Sequence, residues 1–267
     1  MEISAKTPVY CVIGHPVGHS LSPLMQNRAF AAAGYDGVYV AFETADPRGA
    51  AEGIRSMGIR GASVTIPHKV GIMAHLDEID ENARKIGSIN TIANSNGKLT
   101  GCNTDGQGAV RALAEHIAVS DKKVLILGAG GAARAIVHGL KGSGADPYIA
   151  NRTHEKARLL AQDLGAQAVS VDEITGRSFD VMVNTTPVGM HPDTDVMPVP
   201  ESVLAPGMYV MDIIYNPLCT KLLTKAEAAG CHVIDGVGMF VYQGALQFSL
   251  WTGLDAPVAQ MRQVVYD

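Results

Sequence analysis

The sequence predicts an α/β fold in two domains, and three observations carry that expectation. Short apolar runs alternate with segments of helical period along most of the 267 residues, the pattern of strands joined by helical crossovers. Residues 124–140, VLILGAGGAARAIVHGL, set four apolar residues directly before a Gly-rich turn and an apolar helical pattern directly after it. That turn lies near mid-chain, so the residues before it are numerous enough for a domain of their own.

In chain order, short strands are expected at 9–13, 38–42 and 61–66, with helical patterns between them. Ser22-Pro23 followed by LMQNRAFAAA and Gly34 reads as a helix with Ser22 as N-cap, Pro23 at its first position and Gly34 as its stop. Residues 90–93 and 99–102 flank Ser95-Asn96-Gly97, a hairpin signal. After the strand at 124–127 come strands at 148–150, 181–184, 209–213 and 232–234, with a helix at 155–164. Helical patterns at 238–251 and 257–265 close the chain. Alternation of this kind argues for parallel sheets.

Composition narrows the function classes. A hydrophobic share of 47% with 18% charged residues is that of a soluble globular protein. A net charge of −5 without a basic run argues against nucleic acid and anionic membrane as partners. No apolar stretch is long enough to span a bilayer, and MEISAKTPVYCVIG lacks the basic and apolar regions of a signal peptide, so a cytoplasmic location is expected. The four cysteines show no CxxC spacing and read as reduced thiols. With no HExxH, and with Pro16 and Gly18 between His15 and His19, no metal site is expected.

The Gly-rich stretch has the chemistry of a dinucleotide site. Gly128 permits a tight turn, Gly130 lets the backbone approach a pyrophosphate, and Ala133 lets helix and strand pack closely. The phosphates then face the free N–H groups and positive dipole of a helix starting near Gly131. The second strand ends Ala150-Asn151-Arg152-Thr153, with no acid to take ribose hydroxyls and an Arg suited to a 2′-phosphate. Lys156 adds a second positive charge one turn on. NADP is therefore the expected cofactor rather than NAD.

Three polar clusters mark the first domain. Ser20 and Ser22 stand at a helix start, where hydroxyls and the dipole favour a carboxylate. Ser63-Val-Thr65-Ile-Pro67-His68-Lys69 runs a strand into a helix and sets Lys69 in its first turn, where the dipole disfavours a cation. A lysine at a strand end facing a pocket acts as an acid or base. The third cluster joins Gly87-Ser88-Ile89-Asn90-Thr91 to Asn103-Thr104-Asp105-Gly106. Taken singly, each has a plainer reading: Ser22 and Asp105 as helix caps, Lys69 as surface, Asn90 as a turn residue.

In order, GHPVGHSLSP, VTIPHK, GSINT, NTDG, GAGGAARA, NRT and GVGMFVYQGALQF form a series that closely resembles the shikimate dehydrogenase family over essentially the whole chain. The resemblance implies an N-terminal α/β substrate domain (1–105), a Rossmann-type parallel-sheet NADP domain (106–238) and C-terminal helices (239–267) that return to the substrate domain. It implies reversible reduction of 3-dehydroshikimate to shikimate with NADPH, with Lys69 and Asp105 as the catalytic pair. Ser20 and Ser22 would hold the substrate carboxylate, and Thr65, Asn90, Asp105 and Gln243 its hydroxyls. Tyr215 resembles a tyrosine near the carboxylate and nicotinamide. Gln247, one turn beyond Gln243, reads equally as a substrate ligand or a structural contact.

For the cofactor the resemblance implies Gly128, Ala129, Gly130, Gly131 and Ala132 at the pyrophosphate, and Asn151, Arg152 and Thr153 at the 2′-phosphate. Lys156 stands where NADP-preferring relatives often have Arg, and offers a point charge without a bidentate fork. Thr185, Gly236 and Met239 fall in loops that resemble those around the nicotinamide. Ser88 departs from the usual Ala of GAVNT, a change not expected to alter function. A quinate/shikimate dehydrogenase using NAD or either cofactor is the nearest alternative, and a non-catalytic NADP-binding sensor the alternative outside enzymes. The oligomeric expectation is monomer or homodimer.

Overall fold

The computed structural model describes residues 3–266. The chain divides into two compact units, Met1–Asp105 with Val241–Asp267, and Gly106–Phe240.

In the first unit the order is β1 (Val9–Gly14), α1 (Ser22–Ala32), β2 (Val38–Glu43), α2 (Pro47–Ser56), β3 (Gly61–Val64), α3 (His68–Gly71), β4 (Glu78–Ile79), α4 (Glu81–Ile86), β5 (Thr91–Ser95) and β6 (Lys98–Cys102). They form one six-stranded sheet in the order β2-β1-β3-β5-β6-β4. This sheet is mixed, not parallel throughout. β1, β2 and β3 run parallel, whereas β5 is antiparallel to both β3 and β6. The hairpin between β5 and β6 turns on Asn96 (φ 54°) and Gly97 (φ 91°), the pair of left-handed residues that a two-residue turn requires.

Two further details depart from the sequence expectation. The strand expected at 61–66 ends at Val64, where the chain turns towards Pro67, which caps α3. Ser22 is not the N-cap of α1. Leu21 holds that place without a side-chain cap, and the Ser22 N–H is taken by the Ser20 hydroxyl at 3.2 Å. At the sheet edge, Asn27 on α1 mimics a neighbouring strand. Its Nδ2 donates to the Tyr39 carbonyl at 2.8 Å and its Oδ1 accepts from the Tyr39 N–H at 2.9 Å.

The second unit follows α5 (Asp105–Ala114) with β7 (Lys123–Leu127), α6 (Gly131–Gly142), β8 (Asp146–Ala150), α7 (His154–Leu164), β9 (Gln167–Ala168), α8 (Val171–Ile174), β10 (Val181–Asn184), β11 (Tyr209–Asp212), α9 (Lys221–Ala228) and β12 (His232–Ile234). All six strands are parallel, in the order β12-β11-β10-β7-β8-β9. This is the doubly wound arrangement, in which ligands bind beyond the carboxyl ends of the strands. Its core is apolar, with Leu125, Met182, Val210, Leu222 and Ala226 buried.

The chain then passes through α10 (Val237–Thr252) and ends in α11 (Val258–Tyr266). Within the first unit, Phe248 of α10 packs at a tilt near Phe30, and Trp251 near Tyr10 and Tyr39, while α11 packs against α1. Aromatic pairs at these centroid distances add directional attraction to area burial. No helix among the described residues is long and apolar enough to cross a membrane.

Candidate active site

The topology of the first sheet gathers the polar clusters at one end. Parallel β1 and β3 send out there the loops bearing Ser20 with Ser22, and Thr65 with Lys69. Because β5 is antiparallel to β3 and β6, its start meets the end of β6, which places Asn90 beside the segment 103–105. Backbone bonds fix the joints: Val64 N–H donates to Asn90 O at 2.8 Å, Asn90 N–H to Cys102 O at 3.1 Å, and Ile89 N–H to Lys69 O at 2.8 Å.

Lys69 pairs with Asp105 there. The Lys69 side chain is 17% exposed and that of Asp105 only 5%, so the pair lies in a poorly solvated setting with one open side. Lys69 donates to Asp105 Oδ2, and Asn90 Nδ2 donates to Asp105 Oδ1 at 2.7 Å. Behind the carboxylate, the Asp105 N–H donates to Asn103 Oδ1 at 3.0 Å. Asn103 Nδ2 in turn donates to the carbonyl and hydroxyl oxygens of the buried Ser88. Ser88, the departure from Ala, thus serves as an extra acceptor in the support of Asp105. The reading of Asp105 as a plain cap does not hold, since both its oxygens are engaged elsewhere.

Asn90 is the hub. Its Oδ1 accepts from Thr104 N–H at 2.8 Å and Thr91 hydroxyl at 2.7 Å, and its Nδ2 also reaches Gln243 Oε1 at 3.3 Å. Gln247 is buried and bonded at both ends of its amide. Nε2 donates to Asn90 O and Thr91 Oγ1, and Oε1 accepts from Ser63, whose hydroxyl accepts from Tyr39. The Ser22 and Thr65 hydroxyls make no hydrogen bond among the described residues, which leaves both available to a ligand. Cys102 stands nearby, and burial pushes its thiol up to about 12, so it is a neutral thiol at physiological pH.

The second unit carries the residues expected for the dinucleotide. Gly128 adopts φ +116°, and a Cβ there would come within 2.5 Å of the Thr185 hydroxyl. A glycine is needed on both counts. Gly130 caps α6 with extended backbone and open space where a Cβ would stand. The backbone at this helix start can therefore be approached closely, and a helix start favours an anion. Residues 129–132 are partly or fully exposed, and Ala133 is buried. β8 ends without an acid. Arg152 and Lys156 are exposed and have no ion-pair partner among the described residues, while Asn151 donates to Thr153 O at 3.0 Å. This set fits NADP.

Other expected residues lie elsewhere in this unit. Tyr215 stacks on Phe240 at 4.3 Å, Gly236 packs under the carbonyls of Ile213 and Ile214, and Met239 is buried on α10. Sequence reasoning passed over Asp212 and Thr220, which with Asn184, the first residue of a loop that resembles those around the nicotinamide, form a buried hydrogen-bonded set at the ends of β10 and β11. The available signal was an acid closing a short apolar strand.

Comparison with known proteins gives the kinship. Residues 12–92 match the model of the shikimate dehydrogenase substrate binding domain, 112–188 that of shikimate / quinate 5-dehydrogenase, and 236–266 that of the shikimate 5'-dehydrogenase C-terminal domain. Shikimate dehydrogenase (NADP(+)) of Geobacillus kaustophilus is 47% identical, over 97% of this chain and 98% of its own. The chain belongs to the shikimate dehydrogenase family.

Solved structures of the family agree in fold. A shikimate dehydrogenase in complex with NADP+ is 44% identical with a TM-score of 0.95, covering 100% of this chain and 97% of its own. Shikimate 5-dehydrogenase from Thermus thermophilus, in complex with NADP(H) and shikimate, is 37% identical with a TM-score of 0.91, covering 97% and 98%. The sequence-based family assignment and the α/β fold with a Rossmann-type unit stand.

Proposed function

We propose that this chain catalyses the reversible NADPH-dependent reduction of 3-dehydroshikimate to shikimate. The observation that carries the reading is the Lys69–Asp105 pair, held by Asn90 at the end of the first sheet where the free hydroxyls of Ser22 and Thr65 also emerge. Kinship with NADP-dependent shikimate dehydrogenases supports the choice of substrate and cofactor.

When bound, NADPH supplies the hydride that reduces the ketone carbon. Lys69 donates a proton to the ketone oxygen as negative charge develops there, and its ammonium stabilises that charge electrostatically. Asp105 orients the ammonium through Oδ2 while Asn90 holds Oδ1, so the carboxylate keeps one position through the step. In the reverse direction Lys69, neutral, takes the hydroxyl proton. Ser20 and Ser22 receive the substrate carboxylate, Thr65, Asn90, Asp105 and Gln243 its hydroxyls, with Tyr215 and Gln247 as further contacts. Residues 128–132 hold the pyrophosphate. Asn151, Arg152, Thr153 and Lys156 hold the 2′-phosphate, and Thr185, Gly236 and Met239 stand by the nicotinamide. The protein acts in the cytoplasm as a monomer or homodimer.

A sensor of NADP would not need a buried ion pair with a supporting amide, which argues against the non-enzyme alternative. The test compares shikimate and quinate, each with NADP+ and NAD+, by absorbance of the reduced nicotinamide. Turnover of shikimate with NADP+ well above the other three combinations supports the proposal. Equal or better turnover of quinate with NAD+ overturns it in favour of the alternative enzyme, and no turnover at all overturns both.

A further inference from the structure

Asn184 and Asp212 are the last residues of β10 and β11, register partners in the parallel sheet and fully buried. Asp212 Oδ1 accepts from the Ile214 N–H and from Asn184 Nδ2, each at 3.1 Å, and Oδ2 accepts from the Thr220 hydroxyl at 2.8 Å. Thr220 in turn caps α9. Asn184 extends the connection: Nδ2 also reaches Val188 O at 3.3 Å, and Oδ1 accepts from the N–H and hydroxyl of Thr186. Between them, the N–H and hydroxyl of Thr185 both donate to the Leu127 carbonyl, at 2.9 and 2.6 Å, immediately before Gly128.

One carboxylate therefore ties three segments together: the loop after β10, the backbone after β11 that leads to Tyr215, and the start of α9. All lie at the carboxyl ends of parallel strands, where a sheet of this order receives its ligand. The three donors are neutral, so the charge is buried without a counter-ion, an arrangement that costs stability. Apolar residues would fill the same space at lower cost, so the arrangement calls for a reason other than stability.

We propose that Asp212 is a positioning residue for the cofactor, tying the segment after β11 to the loop after β10, which is held against the Gly128 turn, in the arrangement that binds NADPH. The inference rests on the function proposed above. Asp212→Ala removes both acceptors. Asp212→Asn keeps Oδ1 for Ile214 and Asn184.

The experiment is calorimetric titration of NADPH into the wild-type protein and both variants, with KM for NADPH and kcat measured alongside. Asp212→Ala is expected to raise Kd and KM for NADPH about tenfold or more, equivalent to at least ~1.4 kcal/mol, with a smaller change in kcat. Asp212→Asn is expected to recover most of that loss. Affinity within about twofold of wild type for Asp212→Ala, or a loss that Asp212→Asn does not recover, overturns the inference. If Asp212→Ala does not accumulate as folded protein, Thr220→Val removes the Oδ2 donor and carries the same expectation against NADPH. A wild-type protein that binds NADPH but does not reduce 3-dehydroshikimate defeats the proposed function, and the titration still tests Asp212.

Discussion

Asn90 holds the oxygen of Asp105 that Lys69 does not: its Nδ2 donates to Oδ1 at 2.7 Å while the ammonium takes Oδ2. The carboxylate is thus fixed from two sides, and the ammonium keeps N–H bonds to direct at a substrate oxygen.

Replacing Lys69 by Ala removes the proton donor and leaves the rest of the network in place. The expected result is a fall in kcat of roughly 10²–10⁴, with substrate Kd changed far less. Stopped-flow reduction of 3-dehydroshikimate gives the rate, and calorimetry with shikimate gives the affinity. A variant with wild-type kcat removes Lys69 from its assigned role.

Asn90→Ala withdraws one support from Asp105 and leaves Thr91 and Thr104 without their shared acceptor. Buried groups left unsatisfied cost about 1–3 kcal/mol each. Both the denaturant midpoint and kcat/KM are expected to fall, whereas a structural role alone would lower only the midpoint.

Arg152 faces solvent without an ion-pair partner among the described residues, as a residue kept for a ligand charge would. Arg152→Ala is expected to raise KM for NADPH by about 10–100-fold, the worth of charge-assisted hydrogen bonds, and to leave KM for NADH nearly unchanged. Equal effects on both cofactors would place the 2′-phosphate elsewhere.

Burial raises the Asp212 carboxyl from its ordinary value to about 6, against the pull of its three hydrogen bonds. The native state therefore binds this proton more tightly than the unfolded chain, whose aspartates titrate near ~3.9. The contribution is fully present below about pH 4 and is lost as pH rises through about 6, a change of roughly 3 kcal/mol. Asp212→Asn stays neutral throughout. Its stability relative to wild type is expected to rise across that window, by urea unfolding at about pH 4.5 and about pH 7.5. A constant difference between the two proteins would contradict the assignment.

Much of the fold was legible because local signals agreed with one another. The strands at 181–184 and 232–234 coincide with the runs expected there, and Asn96-Gly97 makes the hairpin that its sequence announced. The mixed character of the first sheet was not legible, since strand direction is set by pairing at a distance and not by periodicity. Ser22 was read as a cap because Ser before Pro favours that role, yet the Ser20 hydroxyl takes the local N–H instead. Lys69, Asp105 and Asn90 were expected together through family resemblance. Their spacing alone says nothing of the antiparallel pairing that brings Asn90 to Asp105. Asp212 escapes a reading of the sequence because it looks locally like an ordinary strand end, and its bond to Asn184 depends on strand pairing at a distance.

The side chain of Asn27 closes part of the exposed edge of the first sheet. At the two ends of β2 the Val38 N–H donates inward to Pro8 O and the Thr44 N–H to Gly14 O, so by alternation Tyr39, Ala41 and Glu43 present theirs to the outside. Asn27 already occupies both outward groups of Tyr39. An incoming strand therefore finds a short, interrupted template, too little for runaway edge-to-edge stacking. The amide of one helix residue acts as a full stop for the sheet at Tyr39, ending the ladder from inside the same chain.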